Sequence, residues 1–288
     1  MLERLRQVAF LVKDLEEGKE LYRRHLGMET CHSENLGNYG LLNAVLPAGA
    51  GTFIELLQPT SDDSAAARYL ERRGEAPYML IFETSEYDRL IPHLKSMGVR
   101  LSEGPATGDY RHSFVHPSSA NGALLEIIEV TDGENPWPPA GPDWQTLKHQ
   151  PLTKQIRQMA VLVRDLDEAI VNWEKMFGIK STRRFQVSFT DLEIAVLPLG
   201  GKDTFIELAQ PTGGDVPSAR FLERYGEGIY LTIYEIEDSL AMDDYLKGQD
   251  ARYTSSRVTS NYVNLGFNSI WVHPAGMKGA FTQLSQVL

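Results

Sequence analysis

The chain has 288 residues, 42% of them hydrophobic and 23% charged, with a formal net charge of −11. That length admits two ordinary domains with cores of their own, and the acidic balance argues against nucleic acid or an anionic membrane surface, either of which needs a basic face. A single cysteine, Cys31, excludes an intrachain disulfide framework and suits a reducing compartment. With no apolar run long enough for a bilayer and no signal-peptide core in "MLERLRQVAF", a cytoplasmic protein is expected.

Taken in chain order, "RQVAFLV" from Arg6 alternates and is rich in strand formers. Asp14 with Glu17 three residues on reads as a capping box opening a helix that Gly27 closes. Strand-like runs follow near 28–35, 40–47 and 52–58, then a short helix in "SAAARYLERRG". A fresh strand, "YMLIFET", leads into the helix "SEYDRLIPHLKSMG", and strands close the unit at "SFVHP" and "ALLEIIEV".

The whole pattern then recurs. "RQVAFLVKDLEE" from Arg6 pairs with "RQMAVLVRDLDE" from Arg157, "TFIELLQPT" at 52–60 with "TFIELAQPT" at 204–212, and "ARYLERRGEAPY" from Ala67 with "ARFLERYGEGIY" from Ala219. "VHP" recurs at 115–117 and 272–274, and Asp165, Glu168 and Gly178 repeat the helix caps. A repeat of this length means duplicated domains. The expected organisation is residues 1–130, a Pro-rich linker over 131–155, and residues 156–288. The element order β-α-β-β-β, twice in each half, places the chain in the α+β class with mixed sheets.

These blocks, with "FVHPSSANGALLEIIE", resemble the vicinal oxygen chelate superfamily (glyoxalase, bleomycin resistance, dioxygenase), and within it methylmalonyl-CoA epimerase and glyoxalase I most closely. The resemblance implies tandem domains built from four βαβββ modules, whose curved sheets form open cups. It also implies a divalent metal held by four strand residues. Carried over, those positions are Gln7, Glu55, Met79 and Glu126 in the first half, and Gln158, Glu207, Leu231 and Gln283 in the second. The histidine expected at the third position is absent from both. Exchange of modules between halves would instead group Gln158, Glu207, Met79 and Glu126, and Gln7, Glu55, Leu231 and Gln283. A thioether or alkyl chain offers a hard cation nothing, so no cofactor is expected, and any metal would be a weakly held divalent ion on Gln7, Glu55 and Glu126.

Without a metal, Glu55 and Glu126 become two carboxylates on cup strands with apolar neighbours by period two, among them Phe53, Leu57, Leu124 and Ile128. Such groups suit proton transfer next to a carbonyl. The expected catalytic residues are Glu55, Glu126 and Gln7. Met79, Arg111, His112, Phe53, Gln158, Glu207 and Gln283 are expected to line the substrate. The bland alternative makes Glu55, and more strongly Glu207 with its two amides, part of a satisfied structural network.

The second half has "NLGFNS" where the first has Arg111 and His112, so no cation is expected there. His116 and His273 read as turn residues, and Trp137 and Trp144 as pins for the linker. The resulting expectation is an isomerase or lyase acting on a small carbonyl compound or acyl thioester. The alternatives are a metal-free small-molecule binding protein like the bleomycin-resistance branch, or an extradiol-type dioxygenase, for which neither half holds the ligands. The partner is a small molecule, with no nucleic acid or membrane, and a homodimer is left open.

Overall fold

The structure is a computed structural model and describes all residues except 106, 132, 134, 189, 201–203, 256–266 and 288. In the first half, β1 (Arg4–Leu11) leads through α1 (Leu15–Leu26) to β2 (His32–Leu36), β3 (Leu41–Gly49) and β4 (Thr52–Pro59). After α2 (Ala65–Arg73) come β5 (Ala76–Glu83), α3 (Tyr87–Ser96), β6 (Leu101–Glu103), β7 (Tyr110–Val115) and β8 (Leu124–Val130). The second half repeats this as β9 (Thr153–Leu162), α4 (Leu166–Phe177), β10 (Arg183–Val187), β11 (Leu192–Pro198), β12 (Phe205–Pro211) and α5 (Pro217–Tyr225). It ends with β13 (Gly228–Ile236), α6 (Ser239–Lys247), β14 (Tyr253–Ser255), β15 (Phe267–Val272) and β16 (Phe281–Val287).

The expected helix caps are formed. Asp14 Oδ1 accepts from the Glu17 amide at 2.8 Å and Asp165 Oδ1 from the Glu168 amide at 2.9 Å. Gly27 and Gly178 end their helices in the left-handed region, at φ 64° and 67°.

Among the described residues the strands form two eight-stranded sheets, ordered β2-β3-β4-β1-β5-β8-β7-β6 and β10-β11-β12-β9-β13-β16-β15-β14. In both, the β1-like strand runs parallel to the fourth and the β5-like strand parallel to the last. Strand β1 departs from the expected alternation: Val8, Ala9, Phe10 and Leu11 are all fully buried. It sits inside its sheet and is covered on both faces, so apolar residues follow one another without a break.

By packing, the chain divides into two compact units, one holding 1–6, 78–138 and 158–230, the other 7–77, 139–157 and 231–288. Within the first, the turn after β7 docks on α4. Trp173 Nε1 donates to Asn121 Oδ1 at 3.1 Å, Asn172 Nδ2 to the Ser119 carbonyl at 3.0 Å, and Asn121 Nδ2 to Glu227 Oε2 at 3.2 Å. Trp173 itself is fully buried, and burial of so large a side chain is worth roughly 3 kcal/mol.

Within the second unit the equivalent turn docks on α1. Lys278 Nζ reaches Glu17 at 2.8 Å and Glu75 at 3.4 Å, and His25 Nδ1 donates to the Gly276 carbonyl at 2.9 Å. Gly279 lies at φ 79°, and a Cβ there would collide with the Glu75 carbonyl. Only glycine permits both the conformation and the approach. In each unit the docking turn therefore packs on the first module of the other half.

Candidate active site

The first cluster is built on β1, β3 and β4. In register, Gln7 faces Phe53 and Ala9 faces Glu55 across the parallel pair, while Val45 faces Glu55 and Asn43 faces Leu57 across the antiparallel one. Alternation puts all of these side chains on one face. Glu55 is 6% exposed. Its Oε2 accepts from Gln7 Nε2 at 3.0 Å and its Oε1 from Asn43 Nδ2 at 2.9 Å. The Asn43 amide is oriented by its own Oδ1, which accepts from the Glu34 amide at 2.9 Å. Phe53 is fully buried beside this pair. Asn43 is absent from the residues the sequence points to. A single asparagine in an apolar strand is a weak signal, and its meaning appears only once the β3–β4 register is known.

The second cluster lies on β5, β7 and β8. Met79 faces Leu124 and Ile81 faces Glu126, so Met79 shares the face of Glu126. His112 Nδ1 donates to Glu126 Oε1 at 2.6 Å, and both residues are buried. The rings of Tyr110 and Phe114 flank the imidazole at 5.5 and 5.2 Å. His112 Nε2 is buried with no hydrogen-bond partner among the described residues and lies against Gly104, where a Cβ would overlap the ring. With the proton on Nδ1, Nε2 is a bare acceptor rather than an unsatisfied donor, and the tautomer is assigned on that ground. Glu126 Oε2 has no partner among the described residues.

Arg111, expected beside His112, points to the opposite face because neighbours on a strand alternate. Its guanidinium binds Glu129 Oε2 and Asp88 Oδ1, each at 2.7 Å, and lies 4.6 Å from the centre of the Tyr87 ring. These carboxylates, Asp88 first, hold it above its ordinary proton affinity. It does not join the Glu126 cluster. Of the counterpart segment of the second half, 264–269, residues 264–266 lie outside the described residues.

The second half keeps the frame and changes the partners. Gln158 Nε2 donates to Glu207 Oε1 at 2.6 Å. In the position of Asn43 stands Ile194, which faces Ala209 as Asn43 faces Leu57. Burial without a second donor pushes the Glu207 carboxyl up to about 7, with Gln158 opposing the rise. Gln283 Nε2 donates to Ser269 Oγ at 2.7 Å and Ser285 Oγ at 2.8 Å. Ser269 stands where the first half has His112, so the buried ionisable pair is replaced by a neutral one. His116 and His273 cap the turns after β7 and β15, accepting at Nδ1 from the Ser118 and Ala275 amides.

Among the described residues no three His, Cys, Asp or Glu side chains gather as metal ligands. The donors at the implied ligand positions fit a hard divalent cation poorly. Met79 and Leu231 offer it no oxygen or nitrogen, and each oxygen of Glu55 is engaged by an amide N–H. Among the described residues, no helix is long and apolar enough to cross a membrane.

Tandem βαβββ modules with a buried glutamate on the fourth strand of each half define the class. Residues 8–176 match the model of the glyoxalase-like domain, and 157–266 that of the glyoxalase/bleomycin resistance protein/dioxygenase superfamily. The chain belongs to this vicinal oxygen chelate superfamily.

An ethylmalonyl-CoA/methylmalonyl-CoA epimerase of Cereibacter sphaeroides is 30% identical over 135 residues, which are 45% of this chain and all of that protein. The mitochondrial methylmalonyl-CoA epimerase of Bos taurus is 31% identical over 133 residues, 45% of this chain and 75% of that protein. A mutant of 4-hydroxymandelate synthase from Streptomyces coelicolor covers 99% of this chain and 93% of its own, with a TM-score of 0.77 at 15% identity, a likeness of fold.

Proposed function

We propose that this protein is an isomerase or lyase that moves a proton next to the carbonyl of a small carbonyl compound or acyl thioester, without a metal. The observation that carries the reading is the buried Glu126–His112 pair. The imidazole N–H occupies Oε1 and holds the carboxylate, while Oε2 is left for a substrate proton. In the step, Glu126 takes the α-proton, and the C–H electron pair passes into the C–C bond of an enolate, whose oxygen gains the negative charge. Delivery of a proton to the opposite face of the planar carbon gives the epimer, whereas its return from Glu126 to the same face regenerates the substrate with its hydrogen exchanged. Glu55, with Gln7 and Asn43 on its two oxygens, is read as a proton-transfer group of its own cluster. Named relatives that are methylmalonyl-CoA epimerases support an acyl thioester as the first substrate to try.

The test is deuterium uptake into methylmalonyl-CoA in heavy water, followed by mass spectrometry. A general acid–base group contributes roughly 10²–10⁴-fold, so Glu126→Gln should lose at least a hundredfold of the exchange rate, and Glu55→Gln should also be impaired. Exchange at the wild-type rate in Glu126→Gln overturns the assignment.

A second reading, ligand capture without chemistry, is favoured in the second half by the neutral Gln283–Ser269–Ser285 network beside the stacked rings of Trp271 and Phe281, 5.4 Å apart. Tight ligand binding with no product in any variant would support it.

A further inference from the structure

Phe53 and Phe205 hold the same place in the repeat, yet Phe53 is fully buried and Phe205 only half-buried. Trp144 packs on Phe53, its ring standing edge-on at 5.0 Å and 88° to it. Trp144 belongs to the segment joining the halves, and that segment is anchored on both sides of it. Before Trp144, the Cys31 thiol reaches the Ala140 carbonyl at 3.4 Å. After it, His149 Nε2 donates to the Gly27 carbonyl at 2.7 Å, the Leu152 amide to the Leu26 carbonyl at 2.9 Å, and Thr153 Oγ1 to the Ala48 carbonyl at 2.9 Å. The Ile156 amide donates to Thr52 Oγ1 at 2.9 Å, one residue before Phe53.

The two tryptophans of the segment therefore do different things. Trp137 is fully buried under the Arg6 guanidinium, which lies 4.7 Å from its ring centre. Trp144 is half-buried and keeps part of its ring accessible. Phe53 faces Gln7 directly in the β1–β4 register and shares its sheet face with Glu55. An anchored, half-open indole thus borders the face that carries the Gln7–Glu55–Asn43 cluster. Its amphipathic ring offers a flat apolar contact at little entropic cost.

We propose that Trp144 is a specificity-determining wall of the Gln7–Glu55–Asn43 cluster, receiving the apolar alkyl or aryl part of a small carbonyl compound or acyl thioester whose carbonyl end lies towards Gln7 and Glu55. This rests on the proton-transfer reading for the site itself. A planar, rigid, apolar wall selects by size: each methylene seated against such a surface changes relative affinity by roughly tenfold or more.

The experiment uses the full chain with butyryl-CoA and, as control, coenzyme A alone. In the wild type, butyryl-CoA should change the tryptophan fluorescence saturably and more strongly than coenzyme A does, and Trp144→Phe should abolish that change while calorimetry still detects binding. For methylmalonyl-CoA exchange, Trp144→Ala should raise KM by about tenfold with kcat within about twofold, and Trp144→Phe should restore most of the KM. Melting temperatures of both variants identify any loss of the linker's structural role. An undiminished fluorescence response in Trp144→Phe, or an unchanged butyryl-CoA affinity in a folded Trp144→Ala, overturns the proposal. Because fluorescence and calorimetry read binding alone, they decide the role of Trp144 even if no form of the protein exchanges a proton, a result that would overturn only the proposed chemistry.

Discussion

Replacement of Glu207 by Gln should change the pH dependence of stability in a defined direction. The folded-state carboxyl is pushed from 4.5 up to about 7 by burial. Below pH 4.5 both the folded and the unfolded chain hold this proton. As pH rises towards 7 the unfolded chain releases it while the folded chain keeps it, so the unfolded state gains relative stability. Stability is therefore fully present below 4.5 and is lost as pH climbs through about 7. At about 1.4 kcal/mol per pH unit, the gap between 4.5 and about 7 corresponds to an upper value of about 3 kcal/mol. Glutamine is nearly isosteric and its Oε1 still accepts from Gln158, but it carries no titrating proton. Urea unfolding at pH 5 and pH 8 measures the effect. The wild type should lose stability relative to Glu207→Gln by about 2–3 kcal/mol between these pH values. Parallel curves, with a constant difference between the two proteins, would refute the reasoning and place the Glu207 titration at its ordinary value.

Gly279→Ala should destabilise the protein by roughly 2 kcal/mol or more in the same assay, since a Cβ at φ 79° meets the Glu75 carbonyl and the backbone must move. Gly104→Ala, at a residue outside the left-handed region, should push the His112 ring off Glu126 and lower α-proton exchange by about tenfold or more with folding retained; an unchanged rate would remove His112 from the site. Arg111→Met should lower stability only slightly through its lost partners Asp88 and Glu129, and leave KM within twofold. A large rise in KM would return Arg111 to the substrate.

Much of the frame was legible because it is written twice. The capping pairs Asp14–Glu17 and Asp165–Glu168, the glycines that end α1 and α4, and the glutamates of the two "TFIEL" strands each recur with the same local chemistry, so one copy corroborates the other. What escaped depends on register or on partners distant in the chain. Arg111 and His112 are adjacent in sequence and read together as a cationic pair, but strand alternation sends one to Asp88 and Glu129 and the other to Glu126. Asn43 has no motif, and its role follows from facing Leu57 next to Glu55. In sequence Trp144 and Trp137 both read as pins because they stand in the same Pro-rich stretch; the difference between them is one of exposure, which composition does not encode. The contact of each docking turn with the other half leaves only Asn121, Lys278 and Gly279 as traces.

The two halves differ in the charge their buried groups can carry, and each set of partners is matched to that charge. Glu55 receives an amide donor on each oxygen, which suits an acceptor-only carboxylate. Glu207 receives one, and its own proton supplies what Ile194 removed, so a neutral acid–amide pair is satisfied where an ionised carboxylate would be short of donors. The same logic separates Glu126, opposite an imidazole, from Gln283, opposite two serine hydroxyls. Restoring a donor should therefore reverse the behaviour of the second glutamate. Ile194→Asn places an amide in the position of Asn43, and it should bring the Glu207 titration down from about 7 towards the acid range. Carboxyl signals followed by isotope-edited infrared spectroscopy across pH 4–9 would show this as a lower midpoint. A midpoint that stays in place in a folded variant would mean that burial alone, and not the missing donor, sets the proton affinity of Glu207.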